Sequence, residues 1–321
     1  MTEVEPRMIS TQPEKRFFGW RVVQAAFVLA LFGWGLGFYG PPVFLSVLHA
    51  QQGWAISTIS AAISVHFLVG AVTGANLFEI HRRLGAAFAT QLGALSMACG
   101  LVGWGWATAP WLLFVAAVLT GAGWAHMSAA ALNVIVSPWF ERARPMALGM
   151  AYNGGSVGGI VFSPLWVLAI AALGLPIATV SVALIMLLVV WLLAWRVFTR
   201  TPQSLGVAPD GDAPGAPDPV VAAPWAKPLP GALLWRNRTF ITLLAAMTLG
   251  LFAQIGLIAH LYSLLAPPLG ATPAGYAMAL ITLMAIVGRL LIGKCMPLNA
   301  DRRLVGCAGY LLQLLGSLAL M

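Results

Sequence analysis

Charge is what this sequence has least of. Asp, Glu, Lys and Arg make up 8% of its 321 residues, against 60% hydrophobic residues, whereas soluble domains carry roughly a quarter charged residues. Water cannot solvate such a surface, so a soluble globular fold is excluded. Acidic residues are scarcer than basic ones, 9 against 17, for a net charge of +8. A basic excess suits nucleic acid only if it forms a patch. Here the Lys and Arg sit in short clusters between long uncharged stretches, as a positive-inside bias would place them, and no nucleic-acid partner is expected. The three cysteines, Cys99, Cys295 and Cys307, lie in apolar surroundings without C-x-x-C or Cys/His spacing. That excludes a disulfide framework or zinc site, and no metal or cofactor is expected. The first sixteen residues are polar and mixed in charge, and the apolar run after Arg21 exceeds a signal-peptide core. It reads as a retained first crossing with a cytoplasmic start.

Residues 22–78, 84–140, 145–195 and 239–288 contain no Lys, Arg, Asp or Glu. Each stretch is long enough for two crossings and a turn, since one helix needs about 20 apolar residues. Turn signals divide the four stretches at His49–Trp54, Ala107–Pro110, Gly174–Pro176 and Ala266–Ala274. The expected fold is therefore all-α and multi-pass, with spans near 22–48, 55–78, 86–107, 111–136, 146–172, 177–198, 239–265 and 275–295. A ninth begins near Leu304 and reaches Met321. The charged pieces between hairpins, with every basic residue, then fall on the cytoplasmic side.

Residues 199–238 carry eight prolines from Pro202 to Pro230 together with Asp210, Asp212 and Asp218, the composition of a flexible cytoplasmic linker. The expected division is a six-helix bundle over 1–198, this linker over 199–238, and an incomplete second bundle over 239–321. A faint internal repeat agrees: a shift of 217 residues sets Ser46 on Ser263 and Gly53 on Gly270, and one of 219 sets Gly74 on Gly293 and Arg83 on Arg302. Parallel halves related by an axis along the membrane normal produce such a pattern.

The most specific segment runs from Trp139 to Leu165. Trp139, Phe140, Arg142, Arg144, Ala147, Gly149, Ala151, Gly154, Gly158 and Pro164 follow one another without a gap in the pattern that opens the fifth helix of the monocarboxylate porter branch of the major facilitator superfamily. The chain is similar to that branch and to its oxalate/formate relatives, and it resembles the first two-thirds of such a transporter. Ala143 and Gly155 depart from the pattern. Physically, Arg142 and Arg144 anchor a helix start at headgroup level, while Gly154, Gly155, Gly158 and Gly159 form overlapping small-xxx-small faces that close helix packing alone explains. Gly-Trp-x-Val-Val at the start of the first helix resembles the same branch, although Lys15 stands where its carboxylate would be. Between the second and third spans, Gly74, Arg83 and Gly85 keep part of the superfamily's charged gate motif, with Arg82 in place of its acid. Gly293, Asp301 and Arg302 keep part of the equivalent after the eighth. Basic anchors obeying topology would account for Arg82 and Arg83 equally well.

Ionisable groups at membrane depth are costly and thus candidates for function. Arg289 lies about 14 residues into the eighth span, roughly 21 Å at 1.5 Å per residue. The resemblance assigns that position to binding a substrate carboxylate, which suits bidentate guanidinium geometry; snorkelling to the headgroups is the alternative. Where animal members keep an Asp one turn earlier, this chain has Ala285. His260, with Gln254 six residues before it, and His66, His126, Tyr39 and Asn153 are further candidates for contact with substrate or protons, although a lone His in a bundle more often packs. No Asp or Glu occurs inside a span, which argues against a carboxylate proton relay and against a membrane enzyme.

The resemblance implies a secondary transporter of small, monocarboxylate-like organic anions, working by alternating access in the cell membrane. Alternatives are an exporter of neutral solutes or drugs and a non-transporting sensor or assembly protein. Because the superfamily plan has twelve helices, the chain is expected to be a fragment that does not transport alone. Its expected partners are the lipid bilayer and a small-molecule substrate, with oligomeric state left open.

Overall fold

The computed structural model describes residues 17–211, 233, 235–295 and 302–319; side chains at 289, 290 and 292–295, and that of Arg302, are not described. All regular structure among the described residues is helical. The first crossing is two helices, α1 (Gly19–Gly37) and α2 (Gly40–Gln52). It is followed by α3 (Ile56–Ala75), a short α4 (Leu77–Leu84) and α5 (Ala86–Trp106). The fourth crossing is also divided, into α6 (Pro110–Ala125) and α7 (Ala129–Val136). Helix α8 (Arg144–Leu193) is two antiparallel crossings joined at Gly174 and extended by a π-helical turn, Ala194–Phe198. Then come the short α9 (Pro202–Leu205), α10 (Arg238–Leu269), α11 (Ala271–Cys295) and α12 (Arg302–Ala319).

Seven stretches of the described residues are long and apolar enough to cross a membrane, and the longest, Arg144–Phe198, holds two crossings. The all-α multi-pass bundle expected from charge spacing is thus present. Gly174 shows why the turn falls where it does. Its φ of 76° is open only to glycine at low cost, and Pro176 follows in the first turn of the next helix.

Two breaks go beyond the span count. The first crossing is interrupted at Phe38–Tyr39, where Pro41 and Pro42 remove the backbone donors that would tie α2 to the last turn of α1. The fourth is interrupted at His126–Ser128, where turns replace the helix and the Ser128 hydroxyl donates to Ala125 O at 2.8 Å.

The core lies among the first six crossings. The first half of α8 runs along α1 so closely that a side chain at Gly154 would meet Phe27 O, and one at Gly158 would meet Leu31 O. Small residues here let two backbones touch, which drives helix association where lipid supplies no hydrophobic contrast. Trp166 fills the space beyond, its Nε1 donating to Gly35 O at 3.0 Å and its ring edge-on to Phe44 at 4.8 Å.

Residues 199–211 differ from a flexible linker. Thr201 and Ser204 cap α9 reciprocally. Asp210, at φ 60°, then turns its carboxylate onto the backbone N–H groups of Glu141, Arg142 and Ala143 at 3.1, 2.9 and 3.2 Å. Asp212 and Asp218 lie outside the described residues.

Candidate functional site

The first six crossings meet α10 and α11 along a seam. Near its middle, a side chain at Gly159 would meet the Tyr39 ring and Thr282, so α1, α8 and α11 converge there. Towards the end away from the Arg clusters, Gly275 of α11 faces Val167, Pro164 and Ser163 of α8. Beyond it a cavity of about 430 Å³ lies between Ser46, Gln51, Val167, Tyr262 and Thr272. Towards the basic end, nothing among the described residues lies within 4 Å of a side chain placed at Gly149, which is five turns before Val167 on the same face of α8.

Tyr39 owes its place to the break between α1 and α2, which puts it beside Gly159 at the convergence. Arg289 falls seven residues beyond Thr282 on α11; two turns, about 10 Å, carry that position towards the open end on roughly the same helix face. Half-buried His260 lies on α10 beside Ile258 and Ala259, which pack against Phe38, Pro41 and Phe67. Gln254 and Asn153 are exposed.

The other two candidate histidines, His66 and His126, pack within the first six crossings. Thr120 Oγ1 donates to Ala116 O at 3.0 Å and accepts from Trp104 Nε1 at 3.3 Å, and His66 Nδ1 stands 2.9 Å from that same oxygen. His66 is therefore a packing residue between α3 and α6. His126 donates from Nδ1 to Ala122 O at 2.9 Å and lies against Gly93. Its ring stacks on buried His81 of α4, centroids 6.1 Å apart and planes 19° from parallel. Both ring nitrogens of His81 and Nε2 of His126 find no hydrogen-bond partner among the described residues. Burial, and then the charge His126 would carry, hold the His81 imidazole down at about 4.

The sequence reading overlooked His81. It also overlooked Tyr152 beside Asn153: the Asn133 amide donates to Tyr152 Oη at 2.7 Å, joining α7 to α8. A polar pair on two apolar helices is a signal, but nothing in the spacing of 133 and 152 declares the contact.

The gate and packing candidates fall into three sets. Glu79 accepts from Arg82 at 2.6 Å and from Arg83, and these bonds hold its carboxyl below the usual range. Gly85, at φ 78°, begins α5, and a side chain at Gly74 would meet nothing within 4 Å among the described residues. At the next corner Arg144 Nε donates to Phe140 O at 2.9 Å, and Arg142 lies 3.8 Å from Asp210. Burial of Asp210 opposes its ionisation, but the three backbone donors and Arg142 outweigh it and lower its carboxyl. Gly154, Gly158 and Pro164 line the two close approaches of α8. Gly293 lies within α11, Arg302 opens α12, and Asp301 is outside the described residues.

Similarity to known proteins follows the same architecture. A 26% identical relative over 263 residues is the "MFS-type transporter 1" of Ophiocordyceps sp. (strain BCC 1869), matching 79% of this chain and 54% of that protein. Another, 29% identical over 307 residues, is the "Monocarboxylate transporter 13" of Bos taurus, matching 88% of this chain and 62% of that protein. The chain thus spans little more than half the length of these relatives. The family model of the Major Facilitator Superfamily matches residues 83–321, and with the helical bundle already described, this chain belongs to that superfamily.

Proposed function

We propose that the chain forms the first bundle and part of the second bundle of a secondary transporter that carries small organic anions by alternating access. The observation that carries this reading is the seam: the face of α8 that meets α11 at Gly275 and Thr282 has, among the described residues, nothing within 4 Å of a side chain at Gly149, five turns towards the basic end. A passage closed at one end and open at the other, with Tyr39 and Thr282 at its floor, is one half of an alternating-access cycle. The positive-inside bias puts the open end in the cytoplasm. The division into residues 1–198, a linker over 199–238 and residues 239–321 follows, with 199–211 held to the first bundle.

Anion selectivity rests on Arg289, the ionisable position two turns from the floor on a helix with no Asp or Glu. A guanidinium there, with no neighbouring carboxylate in the span, favours a carboxylate ligand. The relative named as a monocarboxylate transporter supports the same substrate class.

The test is binding of radiolabelled small monocarboxylates to the reconstituted 321-residue chain and to Arg289→Gln. Saturable binding that falls at least tenfold in the variant is expected. Binding unchanged by the substitution would transfer the site to neutral solutes, and binding without flux in a longer chain would favour a sensor.

A further inference from the structure

A second cavity, of about 230 Å³, lies at the basic end, between the first six crossings and residues 200–203 that follow them, away from the seam. Val22 of α1, Ala86 of α5, Ile135 of α7, and Val197 and Phe198 of the π-helical turn wall it, and Arg200 stands in its lining. We propose that this cavity binds an anionic phospholipid, the phosphate on Arg200 and Arg21 and part of an acyl chain inside.

Three observations carry it. First, most of the wall is apolar, with Arg200, Thr201 and Gln203 as its polar members, a lining that suits a length of hydrocarbon joined to a polar head. Second, the cations are gathered and held. The Arg200 guanidinium lies 5.1 Å from the centroid of the Phe18 ring and that of Arg21 lies 5.9 Å from it, two positive heads on one aromatic surface. Among the described residues neither is ion-paired with a carboxylate, whereas Arg82 and Arg83 are spent on Glu79, and Arg142 on Asp210. Guanidinium groups at headgroup level match phosphate geometry. Third, the sixth crossing leaves the α-helical ladder at Ala194–Phe198, where a π turn rotates the following side chains relative to those before it. Such turns are rare in helices and frequent at functional sites. Here the turn sets Val197 and Phe198 in the wall and Arg200 beyond them.

The site is independent of transport, and so is its test. The purified full chain is loaded with a 1:1 mixture of phosphatidylglycerol and phosphatidylcholine, and retained lipid is counted by native mass spectrometry. Phosphatidylglycerol is expected to be retained preferentially, and Arg200→Gln is expected to lower that preference about fivefold, the effect of one cation near an anionic surface. Val197→Trp, which fills the cavity without touching the cations, should lower retention of phosphatidylglycerol while helicity by circular dichroism stays unchanged. Glycerophosphoglycerol and inorganic phosphate, which lack acyl chains, should not compete. Equal retention of the two lipids, as when another segment of the chain fills the cavity, would overturn the proposal. So would a preference indifferent to Arg200→Gln, or full competition by inorganic phosphate.

Discussion

The first six crossings and the helices that follow them, α10 to α12, are built from the same residue types yet packed differently. Every crossing from α1 to α8 buries whole side chains, whereas α10 buries only Leu261 and Tyr262, and no described residue of α12 is buried. Glycine is plentiful in both regions. In the first, Gly154 and Gly158 face backbone carbonyls of α1; in the second, Gly256, Gly306, Gly309 and Gly316 meet nothing within 4 Å among the described residues, Gly250 meets Tyr310, and Gly275 meets α8. Small residues permit close packing, but a partner surface of matching shape produces it. Large apolar side chains of α10 and α12, such as Phe252 and Leu312, are instead left exposed, as lipid allows.

The sharpest way to break this comparison is to place the same side chain in both regions. Gly158→Val drives methyl groups into Leu31 O, a backbone atom that cannot step aside, and should cost roughly 3 kcal/mol or more. Gly256→Val meets nothing within 4 Å among the described residues and should change stability by less than about 1 kcal/mol. Thermal unfolding of both variants in one detergent checks the pair; equal losses would mean that the open faces of α10 are covered.

Acid should separate the regions next. His81 is buried with its folded-state value near 4, below the ordinary 6.5. Between these values the unfolded or opened form binds a proton that the closed form does not, so stability falls as pH falls through that window and is fully present above it. The loss amounts to about 2 kcal/mol at pH 5 and roughly 3 kcal/mol by pH 4. Hydrogen exchange over residues 77–84 should accelerate from pH 6.5 to 4 beyond its intrinsic dependence, while α10 stays unchanged. His81→Gln should remove the effect.

The Asp210 contact is a smaller device that again has no described counterpart in the second region. Asp210→Ala leaves three N–H groups at the 141–143 corner without their acceptor, which should cost about 1–2 kcal/mol and expose 199–211 to protease. Limited proteolysis with peptide mapping reads it directly.

These contacts mark where the sequence became hard to read. Crossings were legible because lipid excludes charge, so bare spacing of Lys, Arg, Asp and Glu located them. The glycine face of α8 was legible from its i, i+4 repeat. The break at Tyr39 was readable in principle from Gly40, Pro41 and Pro42, which a span count absorbs into one long apolar run. His81 with His126, and Asp210 with residues 141–143, were not readable. Their partners stand far apart along the chain and meet only because intervening helices pack, and no periodicity encodes that. For the same reason Asp210 was assigned by composition to a flexible linker although the structure pins it. Arg289 was read from depth alone, and its role stays with the proposal.

The smallest expected effect on stability lies at the seam that joins the regions, and it discriminates best between packing and mechanism. A methyl group at Gly275 would stand 3.1 Å from Val167 Cγ2 and 3.4 Å from Pro164 Cα. Alanine in a helix interior gains up to about 1 kcal/mol over glycine, while the tight contact with a side-chain methyl and a backbone carbon costs a similar amount. Gly275→Ala should therefore leave the melting temperature almost unchanged. If the seam is a static joint, nothing else follows. If it is the closed end of a moving passage, the added methyl presses α11 away from α8 and shifts the population towards opening at that end. A cysteine replacing Ser46, which lines the cavity beyond the seam, should then react faster with an impermeant maleimide in Gly275→Ala than in the parent, and a cysteine replacing Met150 at the other end should react more slowly. Parallel changes at both positions would mean simple loosening, and would count against alternating access at this seam.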